Sequence, residues 1–210
     1  MANIALALLA GGQARRMGGG DKGEIRLNGK TIISHLLSRF ASDCAYQCIN
    51  ANGDISRFAH YQLDLIQDEL EGYQGPLAGI YSCLSHIRQT QPSIDYLVSL
   101  PTDAPFVPAN LIHDLVLAKD RAQIISVESH GRTHPVIGLW PVGLYDALHE
   151  ALIIKNMRKI DAVTGPLGCH YLRYDDEPDY FLNLNRPEDL KAIQEKGLGE
   201  IDLAFLAKSE

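Results

Sequence analysis

Arg15, Arg16 and Lys22 sit inside a glycine-rich loop that follows directly on a run of small and aliphatic residues, Ile4 to Ala10. Glycine lets backbone N–H groups come close to a ligand, so such a loop can offer several amides to one anion. The arginines and the lysine add charge-assisted donors, and a guanidinium can bind two oxygens at once. These residue types point to a phosphate. Two familiar phosphate motifs are excluded by spacing. Gly18 to Gly23 fit the string G-x-G-x-x-G, but they stand well past the end of the apolar run, whereas the dinucleotide fingerprint needs its glycines directly after the strand. Gly29-Lys30-Thr31 looks like the end of a P-loop, but Glu24 occupies the position where that motif requires glycine.

Carboxylates and amides at the ends of other strand-like segments supply the remaining chemistry. Asp103 lies in Pro101-Thr102-Asp103-Ala104-Pro105-Phe106, where prolines on both sides restrain the backbone. A restrained carboxylate suits Mg²⁺, which takes one or two carboxylates together with phosphate oxygens and water; capping a helix that starts near Pro108 is the structural alternative. Asp68 follows the run Leu63 to Ile66. Its carboxylate could accept from the N1 and N2 donors of guanine, or serve as a loop residue or cap. Asn50, in Asn50-Ala51-Asn52-Gly53, carries both donor and acceptor and suits a nucleobase edge, although Asn and Gly also favour plain turns. Asn52 is open between these roles, and Asp21 between ligand and turn. His134 reads as structural, because no acid or nucleophile is spaced to work with it.

Elements that must position these groups alternate along the chain. Ile4 to Ala10 has the length of a strand covered on both faces. A short strand at Glu24 to Leu27 turns at Asn28-Gly29 into a helix from Thr31 to Ala41, with Ile32, Ile33, Leu36, Leu37 and Phe40 on one face. Strands follow at Tyr46 to Asn50, Leu63 to Ile66 and Asp95 to Leu100, with a helix opened by Gly75-Pro76 between the last two. A helix at Asn110 to Lys119 leads to strands at Gln123 to Val127 and Thr133 to Trp140, turning at His130-Gly131. Helices at Leu144 to Ile154 and Asn156 to Val163, then strands at Gly168 to Arg173 and Tyr180 to Leu184, complete the pattern. Asn185 and Pro187 suit the cap and first turn of a closing helix. In open parallel sheets the ligand crevice lies beyond the carboxyl ends of the strands, where Asn50, Asp68 and Asp103 fall.

The long, fixed pattern Leu9-Ala10-Gly11-Gly12, Arg16-Met17-Gly18, Asp21-Lys22 resembles nucleotidyltransferases that join a nucleoside monophosphate to a phosphorylated acceptor. Within them it is most similar to the molybdenum cofactor guanylyltransferases, the MobA-like group. The segments from Asp68 to Gly79, Pro101 to Phe106 and Asn183 to Asp189 match the same family, so the resemblance reaches from Leu9 to Asp189. It implies an α/β, single-domain three-layer sandwich around a mostly parallel, Rossmann-like sheet of the nucleotide-diphospho-sugar transferase type. Residues 1–196 would form the nucleotidyltransferase domain and 197–210 a C-terminal extension, an added helix or a partner contact. The resemblance implies transfer of GMP from GTP to molybdenum-molybdopterin, releasing pyrophosphate. GTP would be held by Leu9, Ala10, Gly11, Gly12, Lys22, Asn50, Asp68 and Asp103. Arg16, Lys22 and Asp103 would serve catalysis, Asp103 as ligand of Mg²⁺, and Asn183 and Asn185 would face the acceptor. Molybdenum-insertion proteins and molybdoenzyme chaperones are the implied protein partners. The alternatives are a cytidylyl or sugar-phosphate nucleotidyltransferase with the same loop, and a non-catalytic GTP-binding module.

Length and composition bound the rest. At 210 residues, 46% hydrophobic and 21% charged, with mean hydropathy −0.09, the chain reads as one soluble globular domain. A net charge of −7 argues against general attraction to nucleic acid, which relies on clustered positive surface. Cys44, Cys48, Cys83 and Cys169 lack C-x-x-C spacing, and no paired zinc-ligand set is present. The N-terminal apolar run is too short for a bilayer and lacks a signal-type context. A cytoplasmic protein with reduced thiols is expected.

Overall fold

Strand β1 (Ile4–Leu9) is buried over its whole length because both faces of the sheet around it are covered. Ile4, Leu6, Leu8 and Ala10 enter one apolar cluster, while Ala5, Ala7 and Leu9 enter another on the opposite face, the alternation that a strand imposes. The computed structural model describes residues 3–11, 22–27, 29–72, 74–175 and 179–184. In chain order the further elements are β2 (Arg26–Leu27), β3 (Lys30–Thr31), α1 (Ile32–Phe40), β4 (Tyr46–Asn50), β5 (Asp64–Ile66), α2 (Pro76–Thr90), β6 (Tyr96–Pro101), α3 (Leu111–Leu117), β7 (Ile124–Ser129), β8 (Arg132–Pro141), α4 (Tyr145–His149), α5 (Ile160–Leu167) and β9 (Cys169–Tyr174).

Among the described residues seven strands form one sheet in the order β5-β4-β1-β6-β8-β7-β9, and β2 pairs with β3 in a separate ribbon. The neighbours β5-β4, β4-β1, β1-β6 and β7-β9 are parallel, while β8 is antiparallel to both β6 and β7. Side chains of α1 and α3 fill the first cluster and those of α2, α4 and α5 the second, which makes three layers. After β1 the chain lays β4 and β5 on one side and then crosses to place β6 on the other. That reversal between β1 and β6 is a topological switch point, where an open α/β sheet splays its loops apart and leaves a crevice.

Local signals explain the element ends nearest the site. Thr31 caps α1, its side chain accepting from the Ser34 N–H, and Pro76 opens α2 after Gly75, where a missing N–H is harmless. The β7–β8 hairpin turns through His130 and Gly131, both with positive φ, the twist that a two-residue hairpin needs.

Three expectations need correction. The helix over Leu144 to Ile154 is a composite: a 3-10 turn at Val142–Leu144, α4, and a π-turn at Glu150–Ile154. The next helix begins at Ile160 rather than Asn156, since Asn156 takes positive φ, a conformation that breaks a right-handed helix. Tyr180 to Leu184 is not a strand. Phe181 and Leu184 are both buried three positions apart, a spacing that a strand would send to opposite faces. The 3-10 helix Ile55–Tyr61 had no signal in the sequence reading.

Candidate functional site

At the carboxyl edge of the parallel strands, Ile66, Asn50, Leu9 and Pro101 stand side by side in register. Two residues beyond each of them come Asp68, Asn52, Gly11 and Asp103, and all four line one cleft of about 670 Å³. That size is within the range of small-molecule sites. Hydrogen bonds tie the exits together: Ala10 N–H donates to Asn50 O at 2.8 Å, Ala51 N–H to Ile66 O at 3.0 Å, and Thr102 N–H to Leu9 O at 3.2 Å.

At the switch point Lys22 Nζ donates to Asp103 Oδ2 at 3.2 Å. The approach depends on Gly23, which is packed so tightly that an added Cβ would lie 2.7 Å from Ile33 Cδ1 and 3.2 Å from Thr102 Cβ. A side chain there would push Lys22 away from Asp103. The helix-capping alternative for Asp103 does not hold: α3 begins at Leu111 behind Asn110, with no side-chain cap. Its backbone carbonyl instead accepts from Leu184 N–H at 2.7 Å, which pins the neighbouring Asn183 to the cleft wall.

A second polar group sits at the β4–β5 end. Asn50, nearly buried, donates both amide hydrogens, to Ile66 O at 3.1 Å and Asp68 Oδ1 at 2.9 Å. Asn52 donates to Asp68 Oδ2 at 2.7 Å and accepts the Asp68 N–H at 3.0 Å. The carboxylate is thus oriented from both sides, and each oxygen keeps a further lone pair. Behind it, Gly79 of α2 lets the helix press against Asn50: a Cβ there would lie 2.2 Å from Asn50 Oδ1.

The opposite wall is an irregularity in β8. Between the pairs Ser126–Gly138 and Glu128–Thr133, β7 advances two residues while β8 advances five, so His134 to Ile137 bulge out of the ladder. Thr133 to Ile137 all line the cleft. Serines satisfy the displaced carbonyls. Ser126 Oγ lies 2.9 Å from Ile137 O and 3.2 Å from His134 O. Ser99 Oγ donates to Val136 O at 2.6 Å and accepts from Trp140 Nε1 at 2.8 Å. His134 is buried, its Nε2 sharing a 2.8 Å hydrogen bond with Ser129 Oγ. Burial, assisted by the charge of Arg132 and opposed by Asp179, moves its pKa below the ordinary imidazole value.

Of the residues singled out in the sequence, Leu9, Gly11, Lys22, Asn50, Asp68, Asp103 and Asn183 line this cleft. Ala10 does not offer its amide to a ligand, because that N–H is already given to Asn50 O. Gly12, Arg16 and Asn185, with Asp21 and the extension 197–210, lie outside the described residues. Sequence reading left Asn52 open and did not single out Arg132 or the bulge. The proline at 135 inside the expected strand Thr133 to Trp140 was the available signal, since proline within a strand marks an edge or bulge. Among the described residues no three His, Cys, Asp or Glu side chains gather into a metal-binding group. With the described residues alone, an ion at Asp103 would have to draw its other ligands from phosphate oxygens and water, as Mg²⁺ does.

The family model for the MobA-like NTP transferase domain matches residues 6–167. A molybdenum cofactor guanylyltransferase of Rhodopseudomonas palustris is 40% identical over 198 residues, 93% of this chain and 92% of that protein. Among solved structures, molybdopterin-guanine dinucleotide biosynthesis protein A of Archaeoglobus fulgidus superposes with a TM-score of 0.73 at 25% identity, covering 91% of this chain and 97% of the other. The 4-diphosphocytidyl-2C-methyl-D-erythritol synthase of Anaerococcus prevotii gives a TM-score of 0.70 at 9% identity, covering 92% and 95% of the two chains. At that identity the likeness concerns the fold alone.

Proposed function

The chain belongs to the family of MobA-like NTP transferase domains, and on that footing we propose that it transfers GMP from GTP to molybdenum-molybdopterin, forming the guanine dinucleotide cofactor and pyrophosphate. The observation that carries this reading is the distribution of charge in one cleft. A carboxylate fixed by two amides, Asp68, stands at one end, and the Lys22–Asp103 pair stands at the switch point.

Guanine presents adjacent N1–H and N2–H donors, the complement of a carboxylate with one lone pair free on each oxygen. Cytosine has no such pair of donors. Asn50, whose donors are used internally, contributes by holding Asp68 in that orientation. Gly11 and Lys22, with Gly12 and Arg16 of the same loop, would bind the triphosphate. Asp103 would hold Mg²⁺, which when bound supplies positive charge against the negative charge that builds on the leaving group.

In the reaction an oxygen of the acceptor phosphate forms a bond to the α-phosphorus of GTP. The bond from that phosphorus to the β-phosphate bridge breaks, and pyrophosphate leaves with the electron pair. The acceptor phosphate is already ionised near neutral pH, so no general base is needed, and the protein's task is positioning and charge neutralisation. Lys22 holds its ammonium beside the triphosphate and keeps the Asp103 carboxylate in place. A cytoplasmic setting, with molybdenum-insertion proteins upstream and molybdoenzyme chaperones downstream, completes the proposal.

The test is pyrophosphate release from GTP, CTP, ATP and UTP with Mg²⁺, with and without molybdenum-loaded molybdopterin, in the wild type and in Asp103→Ala. Release confined to GTP, dependent on the pterin and lost in the variant is expected. Release with CTP would move the chain to a cytidylyl transfer. GTP binding without release would leave a non-catalytic binding module.

A further inference from the structure

The cleft carries a further cation besides Lys22. Arg132 begins β8, is exposed and lines the cleft. Its guanidinium makes no ion pair or hydrogen bond with the described residues. Lys22, by contrast, is engaged by Asp103. The charge of Arg132 is felt at His134, where it adds to burial in disfavouring the imidazolium. Burial and Arg132 both lower the His134 pKa, and Arg132 supplies a permanent positive charge on this wall.

Its place in the sheet gives that charge a direction. Along the order β5-β4-β1-β6-β8, Asp68 and Asn52 follow β5 and β4, Gly11 follows β1, Asp103 follows β6, and Arg132 opens the next strand. Because β8 is antiparallel to β6, its first residues lie at the same edge as the carboxyl ends of the parallel strands. If the nucleoside occupies the β5–β4 end and the triphosphate crosses β1, the second substrate must come from the β8 side. It brings a phosphate with roughly 1.5 to 2 negative charges at pH 7 towards another polyanion, in a chain whose net charge is −7. A guanidinium with no ion pair or hydrogen bond among the described residues, able to grip two oxygens, meets that need. The wall bearing it is braced by Ser126 and Ser99 through the bulge carbonyls, so it is shaped before the ligand arrives.

Resting on the function proposed above, we infer that Arg132 is the residue that receives the acceptor's phosphomonoester and brings it to the α-phosphate of the bound nucleotide. It acts on the acceptor and not on the nucleotide. Its partner is therefore a phosphate ester entering between the β8 bulge and the segment at Asn183, which also lines the cleft.

Steady-state kinetics on the whole chain separates the two substrates. For Arg132→Ala, KM for molybdenum-molybdopterin should rise at least tenfold, while KM for GTP and directly titrated GTP affinity stay within twofold of wild type. Arg132→Lys, which keeps the charge and loses the fork, should recover part of the loss. Intact GTP titration shows that the variant is folded. An unchanged KM for the pterin in Arg132→Ala, or equal rises in both KM values, overturns the inference while leaving the reaction standing. A wild type that releases no pyrophosphate with the pterin overturns both.

Discussion

Lys22 Nζ lies 3.2 Å from Asp103 Oδ2 across a separation of 81 residues, with about a fifth of each side chain exposed (18% and 21%). The pair joins the return of the first loop to the exit of β6, the two segments that flank the switch point. A partly exposed ion pair of this kind contributes only about 1 kcal/mol to stability, so its placement in the cleft is better explained by chemistry than by folding. Asp103→Asn and Lys22→Met should therefore fold with Tm within a few degrees of wild type. Each should nevertheless lower pyrophosphate release by roughly a hundredfold or more, the scale on which an electrostatic contact to a transition state operates. Normal turnover by either variant, measured as pyrophosphate released from GTP, would remove the pair from the reaction.

Replacing Gly79 with alanine sets two effects against each other. Inside a helix the change ordinarily stabilises by about 1 kcal/mol. Here the new Cβ would fall 2.2 Å from Asn50 Oδ1 and 2.9 Å from its Cγ, and Asn50 is not a free tip, since both its donors are in use. The clash should prevail. Urea denaturation should show a net loss of about 1–3 kcal/mol, as for other overpacked sites, and GTP affinity should fall with it because Asp68 loses a support. A more stable variant with wild-type affinity would mean that Asn50 yields at little cost.

Guanine preference should collapse in Asp68→Ala and weaken in Asn52→Ala. The first removes both acceptors. The second leaves the carboxylate in place but frees Oδ2 and the Asp68 N–H from their partner, so about a tenfold loss of discrimination is expected, on the scale of one hydrogen bond of roughly 1–1.5 kcal/mol. The quantity to measure is the ratio of kcat/KM for GTP to that for ATP. Wild-type ratios in both variants would place base reading elsewhere.

The buried His134 makes stability depend on pH with a definite sign. Burial depresses its pKa in the folded chain, chiefly by desolvation and further by Arg132, while in the unfolded chain it titrates near its ordinary value of about 6.5. As pH falls through about 6.5 the unfolded state takes up the proton first, so stability declines, and the decline ends once pH is below the folded pKa. His134→Gln should remove this component and flatten the profile of urea midpoints between about pH 5 and 7. Identical slopes in the two proteins would falsify the assignment.

Much of the chain could be read from local pattern alone. β1 follows from a continuous apolar run, α1 from its apolar stripe, and the start of α2 from Gly75-Pro76, because side-chain periodicity and backbone restriction act between near neighbours. The same holds for placing Asn50, Asp68 and Asp103 at strand ends, and for the family motifs that span those ends. Other features were set by tertiary structure. That Asp68, Asn52, Gly11 and Asp103 fall two residues beyond one row depends on the register between strands, which no single strand encodes. Tyr180 to Leu184 reads as a strand by composition, yet its N–H at Leu184 finds Asp103 O instead of a ladder. Whether Asn50 faces a ligand or Asp68, and whether Arg132 stands on the surface or on the wall of a cleft, is decided by contacts between residues distant in sequence. Sequence by itself determined which groups the chain owns and where its elements begin. The folded sheet decided which of those groups meet, because hydrogen-bond partners and burial are properties of the assembled layers.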